Sequence, residues 1–333
     1  MVVRVGVIGA GIMGADHVRI LATLVPSAQV IWVCDANAER ARSVADTYGI
    51  ENATTRPGDV ISDVRVDAVL IASPDETHAP LALDCLKARK HTLCEKPLSQ
   101  KSAECFDVVD AEAKLEKRLV QVGFMRRFDP GYVEMKSILD SGSIGQVVMM
   151  HNFHRNVSAP SNFTGPMALT SSAPHDVDIA RHMIRAEFTS IRVYQPESSP
   201  ARSAAMPVFC VARTSSGQLV TIDVNNDARY GYDVRAEVIG NDGSIWLKPP
   251  AHTELNVKLR SQSGYPADWR PRFADAYREQ NIAWIRSIGD DKPCGAASWD
   301  GLAASLVAER GVESLVSGRE VEINLPGKPK LFS

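Results

Sequence analysis

Three glycines, an acid and a lysine carry most of the chemistry legible in this sequence. Gly9, Gly11 and Gly14 form GxGxxG within "VGVIGAGIMG", directly after an apolar run and at the start of a helix-like stretch. That spacing allows a tight turn at Gly9, close approach of a pyrophosphate to the backbone at Gly11, and tight helix–strand packing at Gly14. The helix start then offers unpaired N–H groups and a partial positive charge to a diphosphate. Ile12 and Met13 lie inside the loop and are expected to meet the cofactor through their backbone, or to pack. Asp35 follows 21 residues past Gly14. A carboxylate there can take the adenine-ribose hydroxyls and repel a 2′-phosphate, so NAD is the expected cofactor. Arg40 nearby keeps NADP as the alternative, and capping the next helix is the other use open to Asp35. Two more stretches place ionisable groups where an apolar run stops: "ASPDETH" (72–78) and "CEKP" (94–97). Ligands of doubly wound sheets sit beyond the carboxyl ends of the strands. Ser73, Pro74, His78, Glu95 and Lys96 are therefore further cofactor-site candidates.

The elements needed to position these residues can be read from the apolar pattern. Val2–Ile8, Val30–Cys34, 66–73, 91–95 and 119–124 are short apolar strands, and helical stretches lie over 11–24, 37–48, 79–88 and from an N-cap at Ser99 to about 116. Strands separated by helices predict a parallel, doubly wound sheet. From about residue 145 strands follow one another through turns: "GQVVMMHNFHR", "TSIRVYQP", "PVFCVART", "QLVTIDVNN", "DVRAEVIG" and "SIWLKPP". "SSGQ" and "GNDGS" read as hairpin connections, and "QPESSPARS" (195–203) as a polar loop. Helices are expected only at 174–184, 272–288 and 298–316 in this half, with Phe273, Tyr277, Trp284 and Ile288 along one stripe. The fold class expected is α/β: a Rossmann domain over 1–124 and a second α/β domain with a large, open, mostly antiparallel sheet over 125–333. Packing of the last segments back on the Rossmann domain is the alternative to this division.

Composition limits the alternatives. A net charge of −3 without long charge blocks argues against a nucleic-acid or anionic-membrane surface. No apolar stretch approaches the roughly 20 residues that cross a bilayer. The start of the chain reads as a strand and not as an export signal. Cys34, Cys85, Cys94, Cys105, Cys210 and Cys294 show neither CxxC nor zinc-finger spacing. Free thiols packed as small apolar groups in a reduced cytoplasm are expected, with no metal centre.

The glycine fingerprint, "ASPDETH" and "EKP" together resemble the glucose–fructose oxidoreductase/inositol dehydrogenase (Gfo/Idh/MocA) family. "GFMRRFDPGY" (123–132), "HNFHRNVSAPSNFT" (151–164), "HDVDIAR" (175–181), "RYGYDVRAEVIGNDG" (229–243) and "RFADAY" (272–277) are similar to inositol 2-dehydrogenases, in the same order along nearly the whole chain. The resemblance implies a nicotinamide-binding Rossmann domain and an open sheet that often joins four subunits. It implies that Lys96 reaches the substrate alcohol, where an ammonium can stabilise oxygen charge as a ketone forms. Pro97 would follow a cis peptide bond, and Glu95 would brace the turn or the cofactor ribose. The general base should be a histidine, a group that titrates near neutral pH. The family motif Asp-x-x-x-His carries over as His175 for the histidine, with Ser171 standing at the aspartate position. Asp176 and Asp178 are close in sequence but at a different spacing. Arg126, His154 and Tyr232 correspond to positions lining a polyol pocket. Arg127 and Asp129 read equally well as ion pairs between elements. His182 reads as structural, while His17, His91 and His151 have no constellation around them.

The function these readings imply is NAD-dependent oxidation of a secondary alcohol of myo-inositol or a related cyclitol. Ser171 points to two alternatives: a pyranose or aminocyclitol dehydrogenase of a biosynthetic pathway, or an inactive nucleotide-binding paralogue.

Overall fold

The computed structural model describes residues 2–160, 163–196, 207–248 and 254–333. Much of "QPESSPARS" lies outside them. The chain forms two units, one of residues 1–125, 277–305 and 326–333, the other of 126–276 and 306–325.

In chain order the first stretch is β1 (Val3–Ile8), α1 (Ile12–Leu24), β2 (Ala28–Cys34), α2 (Ala38–Thr47), β3 (Asn52–Thr54), α3 (Pro57–Ser62), β4 (Ala68–Ile71), α4 (His78–Lys87), β5 (His91–Cys94), α5 (Ser102–Ala113) and β6 (Val120–Val122). Next come α6 (Pro130–Asp140), β7 (Val147–Arg155), α7 (Gly165–Met167), a π-helical turn at Ala168–Ser172, and α8 (Pro174–Ile184). Then follow β8 (Phe188–Tyr194), β9 (Val208–Thr214), β10 (Leu219–Asn225), β11 (Asp233–Gly240), β12 (Ser244–Trp246), β13 (Glu254–Val257) and β14 (Arg260–Ser263). The chain closes with α9 (Trp269–Gly289), β15 (Ala296–Ala297), α10 (Ser298–Ser317) and β16 (Val321–Glu322).

The first unit's sheet has the order β15-β6-β5-β4-β1-β2-β3, parallel except for the β15 edge. Its central strands are apolar on both faces because helices cover both sides. Ala68, Val69, Leu70 and Ile71 of β4 are all fully buried. The chain order reverses between β1 and β4, the switch point at which such sheets bind nucleotides.

The second unit's sheet runs β12-β11-β7-β10-β9-β8-β16. It is antiparallel apart from the β7–β10 pair. Burial alternates along β9 and β10, as in a sheet packed on one face only. Val148, Tyr194 and Phe209 are exposed.

Several local expectations need correction. Ser99 is not the N-cap of α5. That place is held by Lys101, and Ser99 Oγ accepts from Lys101 N and donates to Glu104, bracing the helix start from outside. The strand β3 and the helices α3 and α6 were not anticipated. For α6 the signal was present, since Asp129 caps it by accepting from Tyr132 N and Pro130 fills its first turn. In α9, Phe273, Tyr277 and Trp284 are buried, and Ile285 takes the place expected of Ile288. All six cysteines are free thiols, five of them buried.

One buried carboxylate in the first unit organises a loop. Glu112 of α5 accepts from the backbone N–H groups of Leu119 and Val120 through one oxygen, at 2.6 and 2.7 Å, and from the Ser298 hydroxyl through the other. Burial raises its pKa above the ordinary carboxylate range. Its folded-state preference is therefore for the protonated form. That contribution to stability is present at low pH and is lost as pH rises through the raised value. A glutamine can accept from both backbone N–H groups through its oxygen and donate to the Ser298 hydroxyl oxygen, without charge. Glu112→Gln should accordingly be within about 1 kcal/mol of the parent, with its relative stability improving as pH rises from 4 to 7. Glu112→Ala strands two backbone donors and the Ser298 hydroxyl and should cost about 2–4 kcal/mol. Urea unfolding of both variants across that pH range checks this, and a Gln variant as weak as the Ala variant would contradict it.

Candidate functional site

The nucleotide loop is shaped by contacts that exclude side chains. Gly9 has φ +98°, and a Cβ there would lie 2.3 Å from the Ala72 carbonyl oxygen just past β4. A Cβ on Gly14 would lie 1.8 Å from the Gly9 carbonyl oxygen. At Gly11 a Cβ would meet nothing within 4 Å, so the chain leaves open space where the motif wants a phosphate. No side chain caps the start of α1, which leaves its first N–H groups for an anion. Ile12 is exposed and Met13 partly so. Asp35, at the end of β2, is nearly buried. It accepts from Ala10 N and Asn37 N, both at 2.8 Å, with Arg40 Nη1 at 3.3 Å. These residues fit a dinucleotide: an uncapped helix start, an open glycine and an acid fixed beside the loop.

One ring lies between the ends of β4 and β5. His78 is buried, with Nε2 2.8 Å from the Ser73 carbonyl oxygen and Nδ1 2.7 Å from that of Pro97. Both nitrogens face backbone carbonyl oxygens, and a neutral ring donates to one of them at a time, so His78 lies between the two turns. Ser73 Oγ is 2.6 Å from Thr77 Oγ1, and the Pro74 carbonyl accepts from Thr77, which closes the first turn. The Lys96–Pro97 peptide is cis, as the resemblance implied. Glu95 is buried, with Oε2 accepting from Lys96 N at 3.2 Å and Oε1 3.0 Å from His17 Nε2. Lys96 itself is half-buried.

In the second unit, four of the anticipated side chains belong to one buried polar centre. Arg126 Nη1 donates to Asp176 Oδ1 at 2.5 Å, and His154 Nδ1 lies 2.7 Å from Asp176 Oδ2 and 3.0 Å from Arg126 Nη2. The shorter contact to the carboxylate assigns the proton to His154 Nδ1. The His175 ring stands 6.4 Å from that of His154 at 45°. The buried Tyr232 ring meets Phe273 edge-on at 6.2 Å. Burial would raise the Asp176 carboxyl, but the Arg126 charge, and then His154, hold it below the ordinary range. Burial likewise works against the Arg126 cation, and Asp176 more than restores it. Arg126 was expected to line a polyol pocket; what its guanidinium touches is Asp176 and His154. Ser171 lies half-buried in the π turn, and its neighbour Ser172 donates to Asn226 Oδ1 at 3.0 Å. Arg127 pairs with Asp178 and Asp129 with Arg272; an ion pair was one of the two uses read for each from the sequence, without its partner.

Residues 3–124 match the model of an oxidoreductase family with an NAD-binding Rossmann fold, and residues 132–246 match the GFO/IDH/MocA C-terminal domain. The chain is 44% identical over 335 residues to inositol 2-dehydrogenase 1 of Saccharopolyspora erythraea, covering 100% of this chain and 99% of the relative. The chain belongs to the GFO/IDH/MocA oxidoreductase family. Inositol 2-dehydrogenase of Salmonella typhimurium is 36% identical, with 100% of both chains covered. Among solved structures, myo-inositol dehydrogenase from Lactobacillus casei in complex with NAD(H) and myo-inositol superimposes with a TM-score of 0.96, at 30% identity and 100% coverage of both chains. Sequence reading missed the partners of Asp176 and the contact between His17 and Glu95.

Asp176 yields a stability prediction. Its folded pKa is depressed, so its contribution is full above the ordinary carboxylate range and is lost as pH falls through the depressed value. Asp176→Asn leaves the buried Arg126 charge uncompensated and should cost about 3–5 kcal/mol at pH 7. The gap from the parent should narrow toward pH 3. Urea denaturation at both pH values checks the claim. A loss under 1 kcal/mol at pH 7 would contradict it.

Proposed function

We propose that the chain is an NAD-dependent dehydrogenase that oxidises a secondary alcohol of myo-inositol or a closely related cyclitol to the ketone, reversibly. The observation that carries this reading is the whole-chain match to a dehydrogenase structure that holds NAD(H) and myo-inositol. The open glycine and the acid beside it support it from the chain's own geometry.

In this reading the first unit serves the cofactor and the second serves the substrate and assembly. Gly9, Gly11, Ile12, Met13 and Gly14 present backbone to the diphosphate. Asp35 takes the adenine ribose and disfavours the phosphate of NADP, since Arg40 already faces the same carboxylate. Ser73, Pro74, His78 and Glu95 shape the turns beside the nicotinamide. Bound NAD supplies the hydride acceptor. Lys96 donates a hydrogen bond to the alcohol oxygen and stabilises the charge that grows there as the carbon loses hydride. His175 takes the hydroxyl proton, so that the alcohol loses one hydride and one proton. His154, Tyr232 and Ser171 contact the polyol, and Arg126 fixes His154. A ring bearing many hydroxyls needs such fixed polar groups.

No helix among the described residues is long and apolar enough to cross a membrane. We assign the protein to the cytoplasm, as a homotetramer built through the open sheet face that exposes Tyr194 and Phe209.

The test is NADH absorbance with a panel of inositol isomers and sugars, using NAD and NADP in parallel. Cyclitols should give the highest kcat/KM, and NAD should exceed NADP by at least about tenfold, or roughly 1.4 kcal/mol. Pyranoses turned over faster than every inositol, or a preference for NADP, would overturn the substrate or the cofactor assignment respectively.

A further inference from the structure

The Glu95 carboxylate is pinned from three directions, all within the first unit. Its Oε2 accepts from Lys96 N, and its Oε1 lies 3.0 Å from His17 Nε2. On the remaining side stands Gly123, just past β6, where a Cβ would come within 2.9 Å of Glu95 Cδ and Oε1. His17 is buried in turn, and its Nδ1 lies 3.0 Å from Asn281 Nδ2. The same Asn281 nitrogen donates to the Tyr277 carbonyl oxygen at 2.8 Å. The Tyr277 ring stands edge-on to His17 at 5.8 Å.

His17 Nδ1 lies nearer to Asn281 Nδ2, at 3.0 Å, than to Asn281 Oδ1, at 3.3 Å, and the contacts favour one direction for the protons. A carboxylate can only accept, so His17 Nε2 carries hydrogen and donates to Glu95. His17 Nδ1 is then an acceptor, served by the second amide hydrogen of Asn281. The chain of donors runs from Asn281 through His17 to Glu95, and Glu95 holds the backbone N–H of Lys96. Bonded on both sides, a buried histidine and carboxylate have one low-energy arrangement. His17 sits on α1, the helix whose first turn forms the nucleotide loop. One helix thus supports the loop at its start and the Glu95 turn from its buried face.

We propose that Asn281–His17–Glu95 is a positioning relay for Lys96, setting where the lysine stands relative to the nucleotide loop. The relay rests on the reading of Lys96 as the group that meets the substrate oxygen. Its loss should therefore cost turnover and leave cofactor affinity in place. A displacement of about 1 Å can cost on the order of 10²-fold in rate.

The experiment compares His17→Leu, His17→Gln and Lys96→Ala in the full-length protein, with myo-inositol and NAD. Each is measured for kcat, KM for both substrates, NADH binding by fluorescence and thermal midpoint. His17→Leu keeps bulk but loses the donor, and kcat should fall about 10–100-fold. NADH affinity should stay within about twofold. His17→Gln restores an N–H toward Glu95 and should recover most of the rate. A His17→Leu enzyme with parental kcat overturns the relay while leaving Lys96 untouched. So does a loss of kcat and NADH affinity together, unrestored in His17→Gln, which marks a purely structural role. Parental turnover in Lys96→Ala overturns the reading of the lysine, and the relay with it.

Discussion

The first unit depends on how the carboxyl ends of β4 and β5 leave the sheet. Strands buried on both faces deliver backbone carbonyls and N–H groups into a region with little water, where each must find a partner. His78 faces two of these carbonyls with one ring, those of Ser73 and Pro97. Glu95 meets the N–H of Lys96 with its own side chain and is itself held by His17. The turn that presents the lysine is thus made of satisfied buried groups on rigid elements, the condition under which a reacting group can be held to a fraction of an ångström.

The second unit solves a related problem with a full charge pair. Arg126 and Asp176 are both removed from water, and each is tolerable only because of the other. Such a pair adds little net stability over an apolar core, but removing one partner is expensive. What it provides is geometry, because Asp176 fixes the tautomer of His154 and the guanidinium fixes Asp176. The pairs Arg127–Asp178 and Asp129–Arg272 are less buried. They link α8 and α9 to the segment that follows β6.

Legibility in the sequence followed the range of the interaction. The βα alternation, the glycine loop and the strand β11 could be read because apolar period and glycine placement are local signals. The helix expected over 174–184 is α8, with the same bounds. α6 was missed although Asp129-Pro130 is a local start signal. Ser99 misled for a subtler reason: a serine three residues upstream of a helix can brace it without being its cap. The partnership of His17 with Glu95 and Asn281 spans 78 and 264 residues, and no spacing rule reaches that far. Asp176 was passed over because a carboxylate four residues before His175 was sought, while the fold directs the next residue toward β7.

The central claim is that a ring carbon gives up hydride, with the proton leaving separately from its oxygen. Myo-inositol carrying deuterium on the oxidised carbon tests it most directly, with the reduced nicotinamide product examined by NMR and mass spectrometry. The account predicts one deuterium at nicotinamide C4, none released to water, and a slower turnover than with the unlabelled ring. Deuterium appearing in solvent, or ketone formed without labelled NADH, would contradict it.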